Sequence, residues 1–206
     1  VGTQKISQTI EGGNKNLLSR DGTLNLFTDA VPNADSLFVA LRDSSAWKQE
    51  IATLFGRRIP VPRLVAWHGD AAYKYSGILH RPREWTQPLL LLKRIAEKCA
   101  RANFNSVLLN LYRDGQDSMG WHSDDEKELG DNPVIASLSL GAERVFHLRH
   151  KTDPALKLKL PLPHGSCLVM GGAMQHHWQH ALPKTARPLI EFGGARINLT
   201  FRLIAP

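Results

Sequence analysis

The segment Trp121-His122-Ser123-Asp124-Asp125-Glu126 places an imidazole and a carboxylate two residues apart. On extended backbone, side chains alternate with a period of two, so His122 and Asp124 share a face and can serve one metal ion. Iron(II) in oxygen-activating enzymes commonly takes two histidines and one carboxylate, leaving positions open for reactants. A third ligand must come from elsewhere. Gln175-His176-His177-Trp178-Gln179-His180 offers three candidates. If extended, His176, Trp178 and His180 share one face, and His177 and Gln179 the other, so spacing alone does not choose. Histidine and carboxylate ligands also suit zinc, which keeps a zinc hydrolase open.

A second constellation bears on that choice. In Arg196-Ile197-Asn198-Leu199-Thr200-Phe201-Arg202, polar and apolar residues alternate strictly. Ile197, Leu199 and Phe201 can pack on a core while Arg196, Asn198, Thr200 and Arg202 face a cavity or solvent. Two guanidiniums, an amide and a hydroxyl in one row suit a carboxylate, because arginine binds carboxylates bidentately. The same pattern also fits an ordinary exposed sheet face. Asn110-Leu111-Tyr112 repeats the arrangement on another strand candidate.

Positioning these groups requires a sheet-rich scaffold. Residues 106–112, 134–140, 144–150, 156–160, 166–170 and 196–204 read as strands separated by Gly-, Pro- and Asp-containing turns. Many short strands at this spacing indicate a sandwich or jelly roll. The preceding region is mixed α/β. A strand is expected at 23–27, and a helix from Pro32-Asn33 to Ser44–Ser45. Residues 47–54 return to the core, and residues 55–62 form a Gly- and Pro-punctuated loop. Tyr73, Tyr75 and Gly77 suggest a strand. A helix from Pro88 to about Ala102 carries the apolar stripe Leu92, Ile95, Ala96 and Cys99. Residues 1–22 are expected to form a mobile tail. The organisation is thus a tail (1–22), an α/β extension (23–105) and an all-β core (106–206), the latter two integrated in one domain.

Of the 206 residues, 42% are hydrophobic and 22% charged, which describes an ordinary globular chain. No apolar run is long enough to span a bilayer, and the first residues lack the pattern of a secretory signal. The chain begins without Met. Cys99 and Cys167 lie among apolar neighbours and are expected to be reduced core residues of an intracellular protein, and two cysteines exclude a four-thiolate zinc site. The net charge of +7 favours a polyanionic partner. Arg57, Arg58, Arg63, Lys74, Arg81 and Arg83 interleave with Phe55, Trp67, Tyr73, Tyr75 and Trp85, the mix of cations and stacking surfaces that suits nucleic acid.

Taken in order, Asn110-x-Tyr112, His122-x-Asp124, His180 and Arg196-x-Asn198-x-Thr200-x-Arg202 resemble the AlkB family, iron(II)- and 2-oxoglutarate-dependent dioxygenases that repair alkylated nucleic acid bases. The resemblance covers roughly residues 23–204. It implies a mainly β fold, a double-stranded β-helix (jelly-roll) core with an N-terminal nucleotide-recognition lid. His180 becomes the third ligand beside His122 and Asp124. Arg202 clamps the far carboxylate of 2-oxoglutarate, Asn110 and Tyr112 support the cosubstrate, Asn198 and Thr200 line its pocket, and Arg196 is a second arginine nearby.

The same resemblance implies substrate contacts. Leu54-Phe55-Gly56-Arg57 looks like the segment that members acting on duplex DNA push into the base stack, and an apolar wedge of that kind lowers the cost of extruding a nucleotide. Tyr73-Lys74-Tyr75 looks like the strand that sandwiches the extruded base, though Lys74 departs from the neutral residue expected there. Asp125 and Glu126 follow the metal carboxylate, and Glu126 joins the metal face if the backbone stays extended. The implied substrates are cationic 1-methyladenine and 3-methylcytosine in single- or double-stranded DNA, with RNA or tRNA as the alternative. The expected products are formaldehyde, succinate and CO2. A monomer, cytoplasmic in a bacterium or nuclear in a eukaryote, is expected to act without a membrane. A catalytically inactive nucleic-acid-binding module is the rival from another class.

Overall fold

The structure is a computed structural model that describes residues 13, 15–54, 57–70, 73–75, 78–80 and 82–205, with backbone only at 52–54, 57, 73–75 and 78–80. Its strands are β1 (Thr23–Phe27), β2 (Lys48–Leu54), β3 (Arg57–Gly69), β4 (Tyr73–Tyr75), β5 (Ile78–His80), β6 (Ser106–Tyr112), β7 (Met119–His122), β8 (Ile135–Gly141), β9 (Arg144–His150), β10 (Lys157–Leu162), β11 (Ser166–Gly171), β12 (Trp178–Leu182) and β13 (Arg196–Arg202). The helices are α1 (Ala34–Ser44), α2 (Gln87–Ala100) and the single turn α3 (Met174–His177).

Two antiparallel sheets carry the architecture. The larger has seven strands in the order β1-β11-β8-β13-β6-β3-β2, the smaller four in the order β10-β9-β12-β7. Alternation decides what each face of the large sheet meets. Val107, Leu109 and Leu111 of β6, Ala136, Leu138 and Leu140 of β8, and Ile197, Leu199 and Phe201 of β13 join one core with α1 and α2. The helices contribute Leu37, Phe38 and Leu41, and Leu89, Leu92, Ile95, Ala96 and Cys99. The stripe anticipated on α2 is the face that packs, and Pro88 sits in its first turn. Cys99 and Cys167 are buried free thiols in this core.

The opposite face of the large sheet turns toward the small one. At the β1–β11 end the two sheets enclose a second apolar core that includes Leu24, Ile135, Leu148, Leu168 and Trp178. Toward β13 and β6 the same face carries polar side chains, and there the site lies.

Residues 57–63 are not the expected loop. They extend β3, pairing with β2 from Leu54–Arg57 to Lys48–Val65 with a register shift between Gln49 and Ile51. Pro60 and Pro62 are tolerated in this strand because β6 pairs with β3 only from Leu64 to Gly69, so the missing amide donors fall outside that ladder, and the Pro62 carbonyl accepts from the Ser118 amide at 3.0 Å. Residues 15–22 are likewise not loose. Asn16 Oδ1 accepts from the amides of Leu18 and Leu24 at 3.1 and 2.8 Å, and Leu18 is buried in the second core. The N-terminal elements also do not form a separate layer, since β1, β2 and β3 are strands of the same sheet as β6, β8 and β13. Among the described residues no helix is long and apolar enough to cross a membrane.

Candidate metal and cosubstrate site

His122 ends β7 and His180 lies in β12, and the two residues are direct cross-strand partners. Partners in register project to the same face, so the rings meet with centroids 4.2 Å apart. His122 Nδ1 lies 2.9 Å from the Gly120 carbonyl, which makes Nδ1 the donor and leaves the Nε2 lone pair to point at Asp124. That Nε2 is 3.8 Å from Asp124 Oδ1.

Asp124 reaches the histidines after the strand has ended. Its amide donates to Gln175 Oε1 at 2.9 Å, and the neighbouring Ser123 hydroxyl donates to the Trp178 carbonyl at 2.9 Å. Both partners come from the Gln175–His180 segment, which therefore supplies one ligand and positions another. That segment is not extended throughout. α3 ends at His177 and β12 begins at Trp178, so His176 and His180 lie on different elements and only His180 faces the site. Gln175 was not anticipated as a site residue. Its signal was membership of the same polar run.

The ligand atoms of His122, Asp124 and His180 all lie within 4.8 Å of one another. Asp124 and His180 are 1% and 3% exposed. Asp124 Oδ1 and His180 Nδ1 are buried without a hydrogen-bond partner, and an unpaired carboxylate oxygen in such a place is costly unless a cation meets it. Burial by itself would raise the Asp124 carboxyl, but the charges of Arg202, His180 and His122 outweigh it and bring its pKa to about 2. Burial, reinforced by His122, lowers His180 to about 3, so its imidazole is neutral and able to ligate. A carboxylate, the neutral imidazole of His180 and the Nε2 lone pair of His122 on one face, with Asp124 Oδ1 and His180 Nδ1 unpartnered, fit a divalent metal with open positions.

The polar row of β13 lines the same pocket. Arg202 donates from Nη2 to Asp124 Oδ2 at 2.9 Å, a pair with both side chains buried. Arg202 is thus engaged with Asp124, whereas the resemblance implies that it clamps the far carboxylate of 2-oxoglutarate. Asn198 is braced on both sides, since its Nδ2 donates to Ser137 Oγ at 2.6 Å and to the Leu138 carbonyl, and its Oδ1 accepts from Thr200. Asn198 and Thr200 line the pocket as expected, but much of their hydrogen bonding is taken up by the wall. Ser137 and Ser139 form the facing row on β8, opposite Thr200 and Asn198. They were not anticipated either, and their spacing of two was the available signal.

Arg196 occupies the other end of the row. It is 2% exposed, donates to Ser139 Oγ at 2.9 Å, and keeps Nε buried without a partner. The Tyr112 ring centroid lies 5.6 Å from its guanidinium carbon. Among the described residues no carboxylate lies within ion-pair distance of it. Burial lowers its pKa to about 10, still well above neutral pH, so it remains a charged group awaiting an anion. Its partner across the sheet is Gly141, where a Cβ would meet the Ala195 carbonyl at 2.4 Å, so only glycine lets these strands close at Arg196. Asn110 also lines the pocket, and its Oδ1 accepts from Arg63 Nε at 2.7 Å. Arg63 can only donate, so the amide nitrogen of Asn110 is left to face the cavity.

The acidic residues after Asp124 do not enter this pocket. Asp125 is exposed, with Oδ2 3.6 Å from Lys151 Nζ. β7 has ended at His122, so alternation does not carry on, and Glu126 is half-buried at the start of a short 3-10 turn (Lys127–Leu129), away from the pocket lining. Phe55 and Gly56 lie outside the described residues. Arg57 opens β3, and Tyr73, Lys74 and Tyr75 form β4, which pairs with β5. The side chains of these four lie outside the described residues too.

A second cluster, Asp21, His150 and His177, has its ligand atoms equally close. There His150 Nδ1 accepts from the amides of Thr152 and Asp153, which puts the imidazole proton on Nε2 facing Asp21 at 3.1 Å. That nitrogen has no lone pair to offer a metal, and the cluster serves to fasten residues 15–22 to β9.

The sequence profile described as the 2OG-Fe(II) oxygenase superfamily matches residues 24–202. The chain is 43% identical over 185 residues to the Bos taurus protein named alpha-ketoglutarate-dependent dioxygenase alkB homolog 3, covering 85% of this chain and 63% of that one. It is 40% identical over 160 residues to the Homo sapiens DNA oxidative demethylase ALKBH2, covering 73% and 60%. The chain therefore spans less than two thirds of the length of these relatives. Among solved structures, that of OsALKBH1 has a TM-score of 0.64 at 14% identity, covering 92% of this chain and 100% of that one, a likeness of fold.

Proposed function

Since this chain belongs to the 2OG-Fe(II) oxygenase superfamily, we propose that it is a DNA repair dioxygenase. It demethylates 1-methyladenine and 3-methylcytosine with iron(II), O2 and 2-oxoglutarate, releasing formaldehyde, succinate and CO2. One observation carries the reading: the His122–Asp124–His180 set, with Asp124 Oδ1 and His180 Nδ1 buried and unpartnered, and the buried, carboxylate-free guanidinium of Arg196 line one pocket. A zinc hydrolase needs the first but has no use for the second.

His122, Asp124 and His180 hold the metal. Iron(II) held there would supply, with O2 and 2-oxoglutarate as co-reactants, the oxidation that removes an N-methyl group as formaldehyde. The protein's work is placement. Gly120 fixes the tautomer of His122, and Gln175 holds the Asp124 backbone. Arg202 keeps Asp124 ionised and on station. Arg196, backed by Tyr112 and by the Asn110 amide that Arg63 orients, takes the distal carboxylate of 2-oxoglutarate. This assignment exchanges the roles first expected of the two arginines.

The nucleic acid reading draws on the net charge of +7 and on the names of the similar proteins. Methylation at N1 of adenine or N3 of cytosine creates a cation and blocks the pairing edge, which makes the base cheaper to extrude. Asp125, exposed beside Asp124 and 3.6 Å from Lys151 Nζ, would meet such a cation outside the pocket. Phe55, Gly56 and Arg57 serve as the wedge, and Tyr73, Lys74 and Tyr75 as the wall of the base pocket, with Glu126 supporting from behind.

The test compares demethylation of 1-methyladenine and 3-methylcytosine in single-stranded DNA, duplex DNA and RNA, following formaldehyde and succinate. His122→Ala should abolish succinate formation while the fold persists. Turnover of RNA alone would move the assignment to an RNA or tRNA demethylase. Binding of methylated oligonucleotides without any succinate would leave a nucleic-acid-binding module.

A further inference from the structure

His122 turns inward to the metal site, while its neighbour Trp121 turns outward and is 40% exposed. A single exposed aromatic would need no explanation. Trp121 does not stand alone. Arg149 of β9 lies over it, with the guanidinium carbon 4.3 Å from the ring centroid, and His147 is the next outward residue of the same strand. Gln179 of β12 accepts from both Nε and Nη2 of Arg149, at 3.0 and 2.8 Å, and holds the guanidinium in place. On β10, Lys157 lies opposite Arg149 and Lys159 opposite His147. On the outward face of the small sheet Gln179, Arg149 and Lys157 are in register across β12, β9 and β10, and Trp121 on the β7 edge is joined to them by the reach of the Arg149 side chain. Three inter-strand steps make this face about 14 Å wide. No Asp or Glu occurs anywhere in β7, β9, β10 or β12.

Lysines on an edge strand such as β10 also discourage sheet-to-sheet pairing. That accounts for Lys157 and Lys159. It leaves unexplained an exposed Trp on the opposite edge and an Arg on an inner strand, clamped by Gln179 into a flat cation–aromatic pair. Cations for phosphates beside a stacking surface, on an acid-free sheet face, match a single nucleic acid strand.

We propose that this face is a docking platform for the single-stranded segment flanking the target base. The strand leaves the pocket over the β7 edge, stacks a base on the Trp121–Arg149 pair, and runs its phosphates toward Lys157 and Lys159. The platform rests on the nucleic acid reading above, but its test does not depend on turnover. It lies on the opposite side of β7 from the metal site, so it adds length and strand preference to recognition and leaves choice of lesion to the pocket.

The experiment measures binding of a fluorescein-labelled, unmethylated oligothymidylate by anisotropy over a series of salt concentrations, with full-length duplex and poly-glutamate as competitors. Trp121→Ala is expected to weaken binding by roughly five- to 150-fold, the range for one stacked base. Lys157→Gln with Lys159→Gln should lower the slope of log affinity against log salt by about 1.4, at about 0.7 for each phosphate of a single strand that is no longer neutralised. Trp121→Phe keeps an aromatic surface and should retain most of the affinity, which separates stacking from damage to the adjoining His122. Unaltered affinity and salt slope in the alanine and glutamine variants would overturn the platform, as would poly-glutamate competing as well as oligothymidylate at equal charge. If wild-type protein binds as described but demethylates none of the substrates, the enzyme reading fails and the platform stands.

Discussion

The two oxygens of Asp124 have different surroundings. Arg202 Nη2 lies 2.9 Å from Oδ2, while Oδ1, buried and without a hydrogen-bond partner, faces His122 and His180. A buried pair broken on one side leaves an uncompensated charge, so Arg202→Met should destabilise the metal-free protein by about 3–5 kcal/mol in urea unfolding. Manganese(II) should restore part of the loss, because the metal becomes the remaining counter-cation. An equal loss with and without metal would disconnect Arg202 from the centre.

Arg196 should behave in the opposite way. Its guanidinium is buried with no carboxylate of the described residues beside it, so in the free protein it carries a desolvation cost without an ion pair to offset it. Arg196→Met is expected to leave the metal-free protein as stable or more so, yet to weaken 2-oxoglutarate binding by at least roughly 30-fold, the loss for one buried charge-assisted contact. Calorimetric titration of 2-oxoglutarate into manganese-loaded protein, beside the unfolding midpoint, reads both quantities. A variant that is less stable and binds 2-oxoglutarate normally would reverse the assignment.

Stability should depend on pH through His180. Its folded pKa of about 3 lies below the unfolded value near 6.5. As pH falls from about 6.5 toward 3, the unfolded chain gains a proton at this residue before the folded one does, so stability is lost across that window. The Asp124 carboxyl, at about 2, adds a further loss that begins only below the ordinary aspartate range near pH 4. In metal-free protein Tm should therefore fall between pH 6.5 and 4.5 more steeply in wild type than in His180→Gln. Parallel curves would mean that His180 is not held neutral.

Arg63 of β3 reaches the pocket lining through its 2.7 Å bond to Asn110 Oδ1. Without it, the Asn110 amide is free to turn its oxygen toward an incoming carboxylate. Arg63→Met should raise the KM for 2-oxoglutarate by about tenfold, in line with the loss of one charge-assisted hydrogen bond. Metal affinity should not move. If kcat falls at unchanged KM, Arg63 acts elsewhere.

Periodicity found most of the strands, because the two faces of each sheet meet different surroundings, apolar core on one side and a polar pocket or solvent on the other. β6, β9 and β13 lie where the apolar and polar spacing puts them. Proline was the weakest guide. Pro60 and Pro62 look like loop punctuation until it is known that β3 outruns β6 and leaves that stretch outside the β6 ladder. Extrapolated alternation failed for Glu126 for a related reason, since β7 stops at His122 and Asp124 reaches the site from irregular backbone held by Gln175.

The chain's residues by themselves determined the candidate ligand types, the alternating polar row on β13 and the sheet-rich scaffold, because donor chemistry and a period of two are local properties. Spacing left the third histidine open and the family resemblance singled out His180, whereas the placement of Arg202 against Asp124, with Arg196 at the other end of the row, was decided only in three dimensions. Cross-strand register sets His180 opposite His122, and a chain reversal brings Asp124 against Arg202, 78 residues away. Such pairings depend on which strands become neighbours, and no local spacing encodes that.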